Sequence, residues 1–397
     1  MPPASAADAP AWGQYGGPTR DFALATPLPA AGKGVLWKRK LGPGTSGVVT
    51  DGKQLFTMYS VPDPKTPNRG EEVVVALDAT TGETKWEHRY PVERLKGQET
   101  FSGDPVRPQA TPAVLGDRVC AVGYAGKVTC LAAATGKVLW EVDLVKDYAA
   151  KPVQFGFSAS PLVYEEAFIL HVGGPKAALV ALRPDGTVKW KSEPGEPSYA
   201  SPVVARFGGE DQIVQVTQKA VVGFRASDGA VRWSYPMENP GLTNVPTPVP
   251  LPDGRLLVSG QGMVGTRLLK IEGQKATEVW KTKGKFFYCN ALADDKAVYG
   301  VTDAALVAVS LADGRELWRE AGQKDANLVR VGDEALVLRG DGLLTRGKLA
   351  PAGLERAAEV RLLKGRCWTP PTVLGGAIVV RDQAEVVAVD GAAFAKK

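Results

Sequence analysis

Histidine is almost missing from this chain. His88 and His171 are its whole complement, and neither has a second His, a Cys or a carboxylate nearby at metal-ligand spacing. Cysteine is scarce as well. There are four in 397 residues, no two adjacent, and no Cys-x-x-Cys-His for haem attachment. The Gly-x-Ser-x-Gly elbow and the phosphate-binding Gly-x-x-x-x-Gly-Lys-Ser/Thr loop are also absent. No apolar stretch is long enough to span a bilayer. The 48 Lys and Arg are interspersed with 43 Asp and Glu instead of forming a run, so the net charge of +5 describes a solvated surface and no nucleic-acid partner.

What the chain has is a recurring phrase. An apolar strand runs into an Asp/Thr-Gly turn, and a second strand follows that carries one Trp. Val73 to Trp86 is the clearest copy, and others run from Val128 to Trp140, Leu179 to Trp190, Val221 to Trp233 and Leu306 to Trp318, with a weaker one from Leu268 to Trp280. A supersecondary unit recurring every ~40–50 residues marks a solenoid or a propeller. Here the unit is all strand, which predicts an all-β protein: a β-propeller of four-stranded antiparallel blades. First strands open on Thr111-Pro112, Ser160-Pro161, Ser201-Pro202, Thr247-Pro248 and Thr369-Pro370, positions where Pro need not donate to a ladder. The count is eight blades, with seven as the alternative. The seventh unit lacks its Trp, and the eighth ends at Gly391 with no Trp strand after it. Residues 34–41 carry an orphan Trp37, so an N-terminal strand is expected to close the ring and hide its edge. Residues 1–33 are then a leader and extended segment, and 34–397 a single propeller, expected to be monomeric. Residues 1–11 are rich in Ala and Pro and lack the basic start and apolar core of a signal peptide. They read as the stretch that follows a removed one, which predicts a periplasmic or secreted protein.

Loop lengths separate the two faces. Turns between strands one and two, and three and four, are minimal. The long insertions, Ser60–Glu72, Pro91–Pro108, Lys146–Gly156 and Pro236–Val245, all fall on the other face, where function is expected to concentrate. Residues entering the first strands there should ring an axial funnel: Arg107, Gln109, Phe157, Tyr199, Asn244, Tyr288, Asn327 and Trp368. Arg339 and Arg381 join them from second-strand ends. This mixed aromatic, amide and Arg ring is a candidate surface for a protein partner or a small ligand. Cys120 and Cys130 flank the turn of one hairpin and face each other if its loop has three residues, which leaves open a cross-strand disulfide or two small buried side chains.

The phrase Ala-Leu-Asp-Ala-x-Thr-Gly-x-x-x-Trp at Ala76–Trp86, with its second copy at Leu131–Trp140, resembles the pyrroloquinoline-quinone-type propeller repeat. That family includes quinoprotein alcohol dehydrogenases and the non-enzymatic lipoprotein B of the outer-membrane assembly machinery. The opening Trp12-Gly-Gln-Tyr-Gly-Gly-Pro-Thr-Arg-Asp21 resembles a segment that precedes the propeller in many secreted bacterial members. The resemblance implies two functions. One is a non-catalytic scaffold of the bacterial envelope, with a protein partner, no cofactor and an association with the outer membrane. The alternative is a dehydrogenase with quinone (PQQ) and calcium in the axial funnel. The dehydrogenases carry adjacent cysteines against the quinone, which this chain lacks, and their calcium-binding Glu, Asn and Asp have no matching positions here.

Overall fold

Eight four-stranded antiparallel blades form the ring, seven of them with their strands in chain order from the axis outward, and the short strand Ala23–Leu24 adds in parallel to the inner edge of the seventh. The computed structural model describes residues 12–28, 34–66, 68–96, 98, 106–239, 244–260, 264–284, 286, 290–302 and 304–391. Blade one comprises Val49–Thr50, Gln54–Pro62, Arg69–Asp78 and Thr84–Glu93. Blades two to seven cover 113–143, 162–191, 203–236, 249–282, 292–321 and 327–361. Blade eight has Thr372–Leu374, Ala377–Arg381 and Glu385–Asp390, and Val35–Lys40 supplies its outer strand, antiparallel to the third with Val35 opposite Val389. The orphan Trp strand therefore closes the ring, and eight is the blade count.

The repeated phrase has a physical cause. In the turn after Val73–Leu77, the Asp78 carboxylate accepts from the amides of Thr80 and Thr81 at 2.9 and 3.0 Å, and Gly82 N donates to Asp78 O at 2.8 Å. Gly82 has φ +73°, which suits Gly. Its bare Cα also receives the neighbour: a Cβ there would lie 2.4 Å from the Trp37 ring of blade eight. The Trp37 indole N–H donates to Ala79 O in that same turn at 3.1 Å. The arrangement recurs around the ring. Trp86 lies on Gly136 and donates to Ala133 O, Trp140 on Gly186 and to Pro184 O, Trp190 on Gly229 and to Ala226 O, Trp280 on Gly314 and to Leu311 O. In most blades the strand pairing shifts register beside the Trp position; such a bulge re-aims the side chain.

Three junctions depart from this pattern. Trp318 of blade six donates to Ala350 O at 2.9 Å, but blade seven turns between Ala350 and Gly353 with a two-residue hairpin, and Gly353 has open space around it. Blade five turns between Glu272 and Lys275 with a two-residue hairpin that offers no platform. Trp233 of blade four instead lies over Gly223 of its own sheet and donates to Gln212 Oε1 at 2.7 Å. Blade seven has no outer-strand Trp, and Arg346 replaces it, donating to Gly391 O of blade eight at 3.2 Å while pairing with Glu334 at 2.6 Å.

The Thr/Ser-Pro starts serve more than strand entry. Gly47 N donates to Thr111 Oγ1, Thr111 N to Ser160 Oγ, and Ser160 N to Ser201 Oγ, all at 2.9–3.0 Å. Each hydroxyl takes the amide of the preceding blade, so a girdle of hydrogen bonds joins blades one to four around the axis. Across blades six and seven the direction is reversed: Asn290 Oδ1 accepts from Leu328 N of the following blade at 3.1 Å, and its Nδ2 donates to Leu328 O at 2.5 Å.

Ser60–Glu72 is not a loop. Ser60 pairs with Glu72, Val61 with Glu71 and Pro62 with Gly70, so the hairpin of blade one extends outward and only 63–68 connects its strands. The outer strand likewise runs through Pro91 to Glu93, where an edge position tolerates Pro. Cys120 and Cys130 are register partners, buried and free. Gly123 N donates to Lys127 O; counting back by alternate pairs puts the cysteines at a non-hydrogen-bonded position, where side chains approach more closely.

The docking account predicts unequal costs for two Gly→Ala changes. Gly52 has φ +93° and open space around it, so Gly52→Ala should cost about 1 kcal/mol through backbone strain alone. Gly136→Ala adds a Cβ 2.5 Å from Trp86 and should cost roughly 2–3 kcal/mol more as the indole is displaced. Denaturant titration of both variants checks this, and equal losses would show that the indole platform carries nothing.

Candidate functional site: the long-loop mouth

Among the described residues, extended connections open on one mouth of the ring: 94–96, 98 and 106–112, then 144–161, then 237–239 and 244–248, with 63–66 and 68 at the tip of the first blade's hairpin. One of them folds into a short helix, Leu144–Tyr148, capped by the Asp143 carboxylate on the amides of Val145 and Lys146. The opposite mouth has the minimal turns.

The candidate residues separate into two sectors and an interior group. Gln109, Tyr199 and Asn244 belong to one arc over blades two to five. Gln109 Nε2 donates to Phe155 O, Phe155 N donates to the Tyr199 hydroxyl at 3.0 Å, and Tyr199 N donates to Asn244 O at 3.0 Å. Asn244 is fully buried. Its Nδ2 donates to Thr217 O at 2.8 Å, and its Oδ1 accepts from Asn239 at 3.1 Å. The second sector is cationic and lies over blades seven, eight and one. The Arg366 guanidinium stacks 3.6 Å from the Trp368 ring centroid, and Arg107 approaches the same ring at 5.9 Å. Arg107 enters blade two and Trp368 enters blade eight, and the intervening entry, Gly44–Gly47, is built of small residues. Arg366 pairs with Asp325 at 2.9 Å, and Asp341 takes both Arg339 at 2.5 Å and Arg361 at 3.0 Å.

The remaining candidates lie elsewhere. Phe157 is buried against Gly126 between blades two and three, beside a small cavity shared with Ser158, His171 and Ser198. Burial there pushes the His171 imidazole down to about 4. Asn327 is buried and donates to Asp325 O at 3.4 Å. Arg381 is an interior clasp across the closure: its Nη1 donates to Ser46 O, Thr57 Oγ1 and Met58 O at 2.6–2.8 Å, tying blade eight to blade one. Tyr288 lies outside the described residues. Among the described residues, no group of three or more His, Cys, Asp or Glu is placed to hold a metal ion, and no helix is long and apolar enough to cross a membrane.

One group at this mouth escaped the sequence reading. Glu72 is wholly buried between blades one and two, where its Oε1 accepts from Tyr124 N at 2.8 Å. Its other oxygen and the Tyr90 hydroxyl crowd the Cα of Gly123, where a Cβ would meet them at 2.2 and 2.5 Å. Burial raises the Glu72 carboxyl to about 7. Its position three residues into a strand opposite Ser60 carries no local sequence signal, because the burial comes from blade two. The folded state holds the proton more tightly than the unfolded chain does. Glu72 therefore contributes stability that is full below pH 4.5 and lost as pH rises towards 7. The loss is on the order of 3 kcal/mol. Glu72→Gln should flatten the stability profile between pH 5 and 7.5 and leave the variant more stable than the wild type at pH 8. Melting curves across that range decide it; an unchanged slope would place Glu72 in a solvated site.

Comparison with known proteins agrees with this architecture. The family profile described as outer membrane protein assembly factor BamB matches residues 69–320 and 243–366. The BamB of Yersinia pestis is 26% identical over 288 residues, covering 68% of this chain and 71% of the relative. The crystal structure of BamB from Moraxella catarrhalis superposes with a TM-score of 0.60 at 16% identity, over 90% of this chain and 97% of the other. A europium-containing methanol dehydrogenase superposes at 0.61 with 14% identity, over 89% and 84%, which is a likeness of fold. The chain belongs to the PQQ-like β-propeller family described by the assembly factor BamB.

Proposed function

We propose that this propeller is a non-catalytic scaffold of the bacterial envelope or exterior that binds a protein partner through its long-loop mouth. The observation that carries this reading is the asymmetry of the two ends. These extended connections, the Arg366–Trp368 stack and the aromatic arc of Phe155 and Tyr199 belong to one mouth, and aromatic and Arg side chains commonly dominate protein interfaces. The name of the Yersinia pestis relative, an outer membrane protein assembly factor, supports a partner in outer-membrane protein assembly and a periplasmic site of action.

Of the two Arg side chains beside Trp368, Arg107 is largely covered and Arg366 is exposed. Trp368 and Arg366 are therefore the variants of choice. In cells lacking the chain, outer-membrane protein levels should fall. The wild type and Gly52→Ala should restore them, and the double variant Trp368→Ala/Arg366→Ala should restore them poorly, each anchor contributing roughly 1–3 kcal/mol to partner binding. Equal rescue by all three would assign the working face wrongly. The alternative, a PQQ- and calcium-dependent dehydrogenase, has fold likeness in its favour. Under the scaffold reading, adding quinone, calcium and simple alcohols to the purified chain reduces no dye; turnover would replace that reading.

A further inference from the structure

The mouth opposite the long loops is filled by the chain's own residues 12–28. In a propeller the innermost strand of each blade has a free edge towards the axis, and its amides need partners. Residues 12–14 satisfy three of them in succession. Trp12 O accepts from Thr50 N of blade one at 3.0 Å, Gly13 O from Val114 N of blade two at 2.7 Å, and Gln14 Oε1 from Val163 N of blade three at 2.8 Å. The chain then crosses to the far side. Phe22 O accepts from Arg330 N of blade seven at 2.8 Å, Leu24 O accepts from Gly332 N at 2.7 Å, and Ala23–Leu24 pairs in parallel with Arg330 and Val331.

The crossing is compact. Phe22 N donates to Gly16 O at 2.9 Å, and the Tyr15 and Phe22 rings meet edge-on at 5.1 Å. Gly16 and Gly17 have φ near +80°, and a Cβ on Gly17 would lie 3.1 Å from the buried Trp12 ring. Arg20 is the most deeply held charge of the segment, at 3% exposure. Its guanidinium donates to Tyr15 O at 3.2 Å, Ser160 O at 3.1 Å, Pro161 O at 2.6 Å and Pro202 O. Burial lowers it to about 9, so it remains a cation at neutral pH. Carbonyls of two blades thus converge on one cation.

We infer that this mouth is a peptide-binding site occupied in cis by residues 12–24, its ligand class an aromatic- and Gly-rich peptide anchored by one Arg guanidinium in a carbonyl pocket. Under this inference, a molecule entering the funnel does so from the long-loop mouth. The inference is independent of the partner reading above.

The test cuts the connection after folding. A site-specific protease sequence is inserted between residues 29 and 33 of the full chain, and the folded protein is cleaved. The severed N-terminal fragment should co-elute with an intact propeller on gel filtration. A labelled synthetic peptide of residues 10–26 should then exchange into the site, and its Arg20→Gln form should compete about tenfold or more weakly, the effect expected for losing charge-assisted hydrogen bonds. Release of the fragment on cleavage would overturn the proposal. So would equal competition by the Arg20→Gln peptide, or failure of the native peptide to exchange. A propeller that melts on cleavage would show that the segment is core instead of ligand, and would overturn it as well.

Discussion

An indole lying on a bare Cα sets most of what this molecule is. At five junctions the outer strand carries a Trp, and the next blade offers a turn whose Gly leaves room for the ring and whose carbonyl accepts the indole N–H. The contact buries a large apolar face and satisfies its one donor at the same time. It also explains why Gly is fixed twice over: the positive φ asks for it, and the ring excludes any Cβ. Because the Trp lies in one blade and the Gly in the next, the repeat cannot be satisfied within a unit. The final blade must find its Trp from the other end of the chain, and Trp37 supplies it.

The inner circumference is held by different chemistry. There the Thr/Ser hydroxyls of one blade take the amides of the previous one, and Arg381 gathers three acceptors across the closure. A buried Arg is costly unless its hydrogen bonds are made, and carbonyls that already face the seam provide them. Outer docking depends on apolar area and inner joining on polar satisfaction, so the two circumferences fail under different substitutions. Where the outer contact is lost at blade seven, a polar one appears in its place through Arg346.

The blades were legible because the Trp–Gly contact leaves a fixed spacing in the sequence, and ring closure was legible because one Trp had no unit of its own. Other features left no such trace. The Ser60–Glu72 stretch read as a loop because Pro62, Asp63, Pro64 and Pro67 are turn formers, yet six of its residues pair in an extended hairpin. Phe157 and Arg381 occupy the expected strand ends. Their side chains turn inward, a direction set by neighbouring blades that periodicity does not encode. Gln109, Tyr199 and Asn244 are far apart in sequence, and the arc joining them runs through the backbone of Phe155, which no side-chain pattern reveals.

Residues 12–28 show the same limit most clearly. Their composition, rich in Gly with isolated aromatics and one Arg, has neither helical nor strand periodicity, because the information lies in main-chain hydrogen bonds to strand edges. Those edges exist only once the ring has closed. The segment and the ring are therefore coupled: the ring presents the free amides of Thr50, Val114 and Val163, and the segment covers them. With that end covered, the proposed partner site falls to the extended connections at the other mouth. The Trp368 sector, flanked by Arg366 and Arg107, lies at that open end. The difference between the two mouths follows from the path that residues 12–28 take across one of them and from which turns stayed minimal.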